Sequence, residues 1–331
     1  MKALVTGACG FIGFHLCRRL LADGWEVAGI DNLSRPGSEL HKRALAKAGA
    51  DIFQADVSSM TQTVSAFLAS GHIDAVFHLA AQVAVTASYK DLQDDFQTNA
   101  AGTFNTIDCV RRYAPKAWCL YASTNKVYGC VNSPTPVSVF ASADPYTPYG
   151  VSKYTGELYW REYGRKEIGL TTCALRQSCI YGPNQYGVED QGWLAWFAIA
   201  NVLGLPLTIY GDGMQGRDLL HVSDLVDLYL ECFAKRVSGA FPVGGGYRNA
   251  MTLQSALGAI VARSGRQFES VSYEDVRPGD QKYFVADNGW TKSLGLDWTP
   301  QVGVEEGLTK LVNWTQAHQQ DIQRVRRAEW I

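Results

Sequence analysis

No stretch of this chain stays apolar long enough to cross a bilayer, which speaks against a membrane-spanning protein. Its eight cysteines include no Cys-x-x-Cys pair and no cysteine/histidine cluster at metal-ligand spacing. Most sit in apolar runs, where a reduced buried thiol is the simpler reading. Neither sign of charge dominates. Thirty basic residues stand against thirty-two acidic ones, a net of −2, which gives nucleic acid and anionic membranes nothing to hold. There is no internal repeat and no charged leader ahead of the first apolar run. A cytoplasmic, reduced, metal-free chain is expected, with neither nucleic acid nor membrane as partner.

What is present is an ordinary globular composition, 47% hydrophobic and 19% charged, over 331 residues, enough for one large domain or two modest ones. The most informative stretch is KALVTGACGFIGFHLCRRLLADGWEVAGIDN at residues 2–32. A short apolar run meets a turn carrying Gly7, Gly10 and Gly13, an amphipathic segment follows over 11–22, and a second β-branched run closes on Asp31. Strand, glycine turn, helix and strand make a βαβ unit. Glycines belong where side chains would obstruct: at the sharp turn, where backbone N–H groups approach a diphosphate, and where helix packs on strand. The helix N-terminus then holds the anion. Asp31 can accept both hydroxyls of an adenosine ribose and repel a 2′-phosphate, so NAD is favoured over NADP. The spacing GxxGxxG departs from the dinucleotide fingerprint GxGxxG, and a turn needed only for packing is the alternative at this point.

Downstream, apolar runs at 51–53, 75–79 and 117–121 alternate with helical patterns at 59–70 and 92–112, and the first of these runs closes on Asp56 and Val57. This predicts α/β architecture with a Rossmann-like, doubly wound parallel sheet. Residues 130–148, rich in Ser, Pro, Thr and Val, read as a loop near the site. A helix over 149–166 and a strand over 170–175 resume the sheet. Beyond Tyr181 the alternation loosens, with helices at 193–202, 223–235, 253–263 and 304–314. A smaller C-terminal substrate-binding α/β domain is expected over the carboxyl ends of the strands. The division is 1–175 for NAD, with some later segments returning to it, and 176–331 mainly for substrate. The terminal run DIQRVRRAEWI reads as a basic, frayed helix. Trp193, Trp196 and Phe197, at i, i+3 and i+4, read as a core helix face for at least two of the three.

The chemistry lies in ASTNKVYG at 122–129, after a buried strand, and YGVSK at 149–153. Tyr149 and Lys153, four apart on a helix, share a face. An ammonium about 4 Å from the phenol contributes about 4 kcal/mol at an effective dielectric near 20, roughly three pKa units off a starting value near 10. Such a tyrosine works as a base near neutral pH. Alone, the pair reads as a surface helix pair. Following a glycine-turn βαβ unit and the hydroxyls of Ser123 and Thr124, it reads as a catalytic group.

With these residues together, the chain resembles the extended short-chain dehydrogenase/reductases of the nucleotide-sugar epimerase/dehydratase family over essentially its whole length. GxxGxxG is that family's glycine motif. The resemblance implies NAD as cofactor, a nucleotide-diphosphate sugar as substrate and a homodimer built from the helices around 92–112 and 149–166. It places Gly7, Gly10 and Gly13 at the cofactor diphosphate, Asp31 and Asn32 at the adenosine ribose, and Asp56 and Val57 beside adenine. Leu79, Ala80, Ala81 and Asn99 would line the groove, with Phe11, Ile12, Ser34, Ser123, Tyr149 and Lys153 in the same cofactor set. Thr124, Tyr149 and Lys153 would be catalytic. Arg217 of IYGDGMQGRDLLHVSD and Arg277 of VRPGDQKY would clamp the substrate diphosphate, which needs converging charged donors, with Asp280 on its ribose. Gln82, Ser88, Thr124, Asn125, Ser178 and Tyr210 complete the substrate set.

Within the family, AAQVAVTAS, STNKVYG, LRQSCIYGPNQYGVEDQGWLAWF and DQKYFVAD are similar to the branch that inverts C2 of CDP-sugars. This implies epimerisation of a sugar carbinol by transient oxidation to a ketone and re-reduction on the other face. A UDP-sugar 4-epimerase shares the same catalytic residues and is the alternative. A nucleotide-sugar dehydratase or reductase ranks lower, because dehydratases place Asp-Glu after the catalytic threonine, where this chain has Asn125 and Lys126. Cys179 stands where the family often has asparagine, and the loop 130–148 is shorter than in that branch. A catalytically silent NAD-binding module has no need of all three catalytic residues.

Overall fold

The computed structural model describes residues 1–328. Six strands in the first half, β1 (Lys2–Thr6), β2 (Glu26–Asp31), β3 (Asp51–Gln54), β4 (Ala75–His78), β5 (Trp118–Thr124) and β6 (Thr171–Gln177), alternate with helices. With three later strands, β7 (Cys179–Tyr181), β8 (Leu207–Tyr210) and β9 (Gly216–His221), intervening, β10 (Gly239–Val243) returns to the same sheet. The order is β10-β6-β5-β4-β1-β2-β3, parallel throughout. The expected α/β, Rossmann-like doubly wound sheet is what forms. Its direction of winding reverses between β1 and β4, and a crevice opens there outside the carboxyl ends of the strands.

Both faces of the sheet are covered, as a parallel sheet requires. Leu16 and Leu20 of the helix Phe11–Ala22 pack with Leu225 and Tyr229 of Val222–Ala234 on one face. On the other, Phe67, Ile107, Val110 and Trp160 come from Met60–Ser70, Gly102–Tyr113 and Pro148–Tyr163. A smaller unit follows. Two further strands, β11 (Ala250–Thr252) and β13 (Tyr283–Phe284), join β7 around β9, and β12 (Val271–Glu274) pairs with β8. The helices Trp193–Leu203, Leu253–Ser264 and Val304–Ala317 share a separate core there. Its strands are two to six residues long, too short to show a period in the sequence.

Two expectations change. The helical pattern at 92–112 is broken by a π-helical turn, Gln97–Ala101, between Leu92–Phe96 and Gly102–Tyr113, and a short helix, Val85–Lys90, precedes it. No residue of the loop 130–148 lines the cleft that holds the site. The loop runs beside residues 283–287 instead: Val137 N–H donates to Val285 O at 2.7 Å and Asp287 N–H to Val137 O at 2.9 Å. The terminal run is helical over Gln319–Ala328, and the end expected to fray lies outside the described residues. No helix among the described residues is long and apolar enough to cross a membrane.

Candidate active site

At the end of β1 the backbone turns through Gly7 at φ +69°, and a Cβ there would stand 2.7 Å from Ala80 N. One on Gly13 would stand 2.1 Å from Gly7 O. Both glycines are therefore demanded by close backbone approach. The helix that follows begins without a side-chain cap, so its first N–H groups remain available to an anion. Asp31 closes β2 in a fixed pose: one carboxylate oxygen accepts from Cys9 N–H and the other from Leu33 N–H, each at 2.8 Å. Burial pushes its pKa up, and these backbone donors oppose the rise. Asn32 donates to Asp56 at 2.8 Å, joining the two residues expected beside ribose and adenine. These features fit a bound NAD.

A cleft of about 770 Å³ runs from this turn past Thr124, Tyr149 and Lys153 to Arg217 and Arg277. Of the expected site residues, Asn99 and Ser88 alone do not line it. Asn99 is fully buried behind the wall. It accepts from Gln82 N–H at 2.9 Å and donates to Asp95 and Ser152, each at 3.1 Å, so it ties the cleft wall to the Pro148–Tyr163 helix. Ser88 is turned inward by its short helix and donates to Val85 O at 2.6 Å.

The helix Pro148–Tyr163 opens with Pro148 and the cap Thr147, whose hydroxyl accepts from Gly150 N–H at 3.0 Å. This sets Tyr149 in the first turn and Lys153 one turn on. Tyr149 faces Thr124 at the end of β5, whose hydroxyl favours the phenolate form. The Lys153 ammonium lies 4.3 Å from the Tyr121 ring centroid. Burial lowers Lys153 to about 7, with Asp95 and Glu157 opposing. The expected depression of Tyr149 by Lys153 is not what the fold produces. Burial pushes the phenol up to about 12, opposed by the Thr124 hydroxyl. Taking both groups out of water disfavours both charged forms.

Several participants were not legible beforehand. Glu157, fully buried, accepts from Ser123 Oγ at 2.6 Å and forms a bidentate pair with Arg176 at 2.7–3.1 Å. Lys126 lines the cleft two residues after Thr124, with its ammonium 3.2 Å from Gly279 O. The STNKVYG motif held that signal, although in the sequence Lys126 bore only on the case against elimination. Arg217 and Arg277 both reach the cleft, but neither is a bare clamp. Arg217 donates to Asp280 at 2.7 Å. Arg277 stacks 3.7 Å from the Tyr210 ring centroid, beside Glu189 and Asp190. The Ser178 hydroxyl donates to buried Asp218, whose pKa burial raises to about 6. Trp196 and Phe197 are core residues, as expected of at least two of the three aromatics. Trp193 is partly exposed and donates to Cys179 Sγ at 3.1 Å.

A glycine turn, an acidic strand end and a Thr-Tyr-Lys group opening onto one cleft define an NAD-dependent enzyme of the short-chain dehydrogenase/reductase type. Residues 3–244 match the NAD dependent epimerase/dehydratase family, and the chain belongs to it. The CDP-paratose 2-epimerase of Salmonella typhi is 33% identical over 95% of this chain and 99% of its own length. The crystal structure of UDP-glucose 4-epimerase from Thermus thermophilus, in complex with NAD, matches with a TM-score of 0.86 at 32% identity, covering 96% of this chain and 99% of that one. DesIV, the dTDP-glucose 4,6-dehydratase of Streptomyces venezuelae with NAD and TYD bound, matches at 0.87 and 26% identity over 98% of this chain and 100% of its own. The cofactor is NAD.

Proposed function

We propose that the protein inverts one carbinol of a nucleotide-diphosphate sugar, at C2 of a CDP-sugar, by transient oxidation and re-reduction. The observation that carries this is the placing of Thr124, Tyr149 and Lys153 in the same cleft as the glycine turn and Arg217. A carbinol C–H away from any carbonyl is too weakly acidic to leave as a proton, so inversion needs a ketone. Bound NAD supplies the hydride acceptor and later the donor, and in its oxidised form a positive charge that favours a phenolate. Tyr149 takes the hydroxyl proton, Lys153 stabilises the phenolate when charged, and Thr124 holds the same oxygen. On return Tyr149 gives the proton back, leaving no net redox change.

In this reading Gly7, Gly10, Gly13 and Asp31 hold the cofactor, and Arg217, Arg277 and Asp280 the nucleotide. Residues 1–175 with β10 act as the NAD-binding part, and 176–331 mainly as the sugar-nucleotide part. Asn125 and Lys126 replace the acid and base that elimination needs. Likeness to the Salmonella enzyme supports C2 of a CDP-sugar. Likeness to the Thermus enzyme supports the second reading, C4 of a UDP-sugar. Incubating the protein with CDP- and UDP-sugars and locating the inverted carbon by NMR separates the two. Inversion only at C4, or steady accumulation of NADH, would overturn the first.

The eight cysteines are free thiols, which supports a reducing, cytoplasmic setting. Leu92, Phe96, Val151, Leu158 and Tyr159 form an exposed apolar strip on the helices 92–113 and 148–163, and this supports a homodimer through them.

A further inference from the structure

We propose that Lys126 is a third cation of the substrate site, taking a phosphate oxygen of the nucleotide sugar beside Arg217. The inference rests on the nucleotide-sugar reading above. It begins with how charge is distributed across the cleft. Arg277 faces two carboxylates, Glu189 and Asp190, each 3.6 Å away, donates to Glu189 O at 3.0 Å and stacks on Tyr210. Three residues on in the same turn, at Asp280, the balance is reversed. There Arg217 and Lys126 share one carboxylate, Asp280, at 2.7 and 3.9 Å.

Arg217 has the better part of that carboxylate and also donates to Gln281 O at 2.5 Å. Lys126 is left with a neutral carbonyl, Gly279 O at 3.2 Å, and a distant charge, although its side chain is only 16% exposed. A buried ammonium so poorly matched destabilises the fold. An incoming dianion would offset that cost, and the excess of positive charge lies where it would arrive. The one-turn helix Asn125–Tyr128 starts at Thr124 and carries Lys126, which shares Asp280 with Arg217, so the phosphate nearer the sugar is assigned to it. The loop carrying Gly279 is held against the catalytic helix. Gly279, at φ +75°, packs so closely that a Cβ would stand 2.1 Å from Thr147 Cγ2.

The charged and titratable groups facing Lys126 are Arg217, Asp280, Cys130 and Cys179. Burial first, then Arg217, brings its pKa down to about 8, with Asp280 and the two thiols opposing. An anion bound to the ammonium raises that value again. Affinity is therefore full below about pH 8 and falls as pH rises through the bound-state value.

The test measures CDP and UDP binding by calorimetry, with no turnover required. Lys126→Met should weaken whichever diphosphate the wild type binds by about ten- to a hundredfold. Its NAD affinity should be unchanged, and its ligand-free thermal midpoint at neutral pH should be no lower. Wild-type binding at about pH 8.5, compared across buffers of different ionisation heat, should take up a proton. Unchanged diphosphate affinity in Lys126→Met would overturn the proposal. So would a wild-type affinity for CDP that stays constant from about pH 8 to 11, the range over which a lysine loses its charge, a readout that needs no folded variant. If neither CDP nor UDP bound the wild type, the nucleotide-sugar reading itself would fall, and this inference with it.

Discussion

Tyr149 and Lys153 show what a single residue's surroundings decide. Four-residue spacing puts them on one helix face, but the sign of each pKa shift depends on burial, which no local pattern encodes. In the ligand-free fold Lys153 sits near 7 against 10.5 for a free lysine, so between those limits the folded state binds fewer protons than the unfolded one. The penalty for burying this ammonium is complete below about pH 7 and fades as pH rises toward 10.5. Lys153→Met should consequently lose turnover yet resist urea better than wild type at about pH 6.5. The gain is on the order of a few kcal/mol at roughly 1.4 per pKa unit, and it should shrink by about pH 9.5. Tyr149→Phe, which removes the proposed proton acceptor alone, should cut turnover by about 10²–10⁴ while NAD content, read by absorbance of extracted nucleotide, stays at the wild-type level.

Between elements, close approach and buried charge set the tolerances. Because a Cβ on Gly13 would meet Gly7 O at 2.1 Å, Gly13→Ala has to part the helix from the strand turn. It should lower stability by about 1–3 kcal/mol and weaken NAD binding, both measurable by denaturation with and without cofactor. Glu157 on Pro148–Tyr163 and Arg176 on β6 join that helix to the sheet. Glu157→Gln would leave the guanidinium buried and uncompensated, at a cost of about 3–5 kcal/mol in the unfolding free energy. The glycine spacing made the first of these contacts legible. The Glu157–Arg176 pair, 19 residues apart, was not, because nothing local to either residue points to the other. The same holds for Asn99. Its motif marked it as a groove residue, and the π-turn carries it behind the wall, where it holds Gln82 and Ser152 together.

For the whole molecule the open question is how the exposed apolar strip on 92–113 and 148–163 is covered. A homodimer would bury it, and Tyr159 is already in edge contact with Phe104 at 5.3 Å, a packed surface for a second copy to meet. Sedimentation equilibrium should therefore give twice the mass of one chain. Leu158→Arg, placing a charge in the middle of the strip, should give a single chain's mass with an unaltered circular dichroism spectrum. A wild-type monomer would count against the dimer. At this scale the large sheet was readable because its strands and covering helices are long enough to show their periods. The smaller unit was readable only as helices, since its strands are too short to alternate visibly.

The sequence alone determined the parallel sheet, the glycine turn with Asp31, and the membership of Thr124, Tyr149 and Lys153 in one site. Each of these rests on short-range patterning or on a motif read within a few residues. Only the tertiary structure decided that burial raises the Tyr149 phenol, that Glu157 and Arg176 support the strand end at Ser123, and that Lys126 and Arg217 divide one carboxylate between them. Those outcomes depend on which distant groups share a low-dielectric space, and desolvation and charge compensation are properties of that space rather than of any stretch of chain.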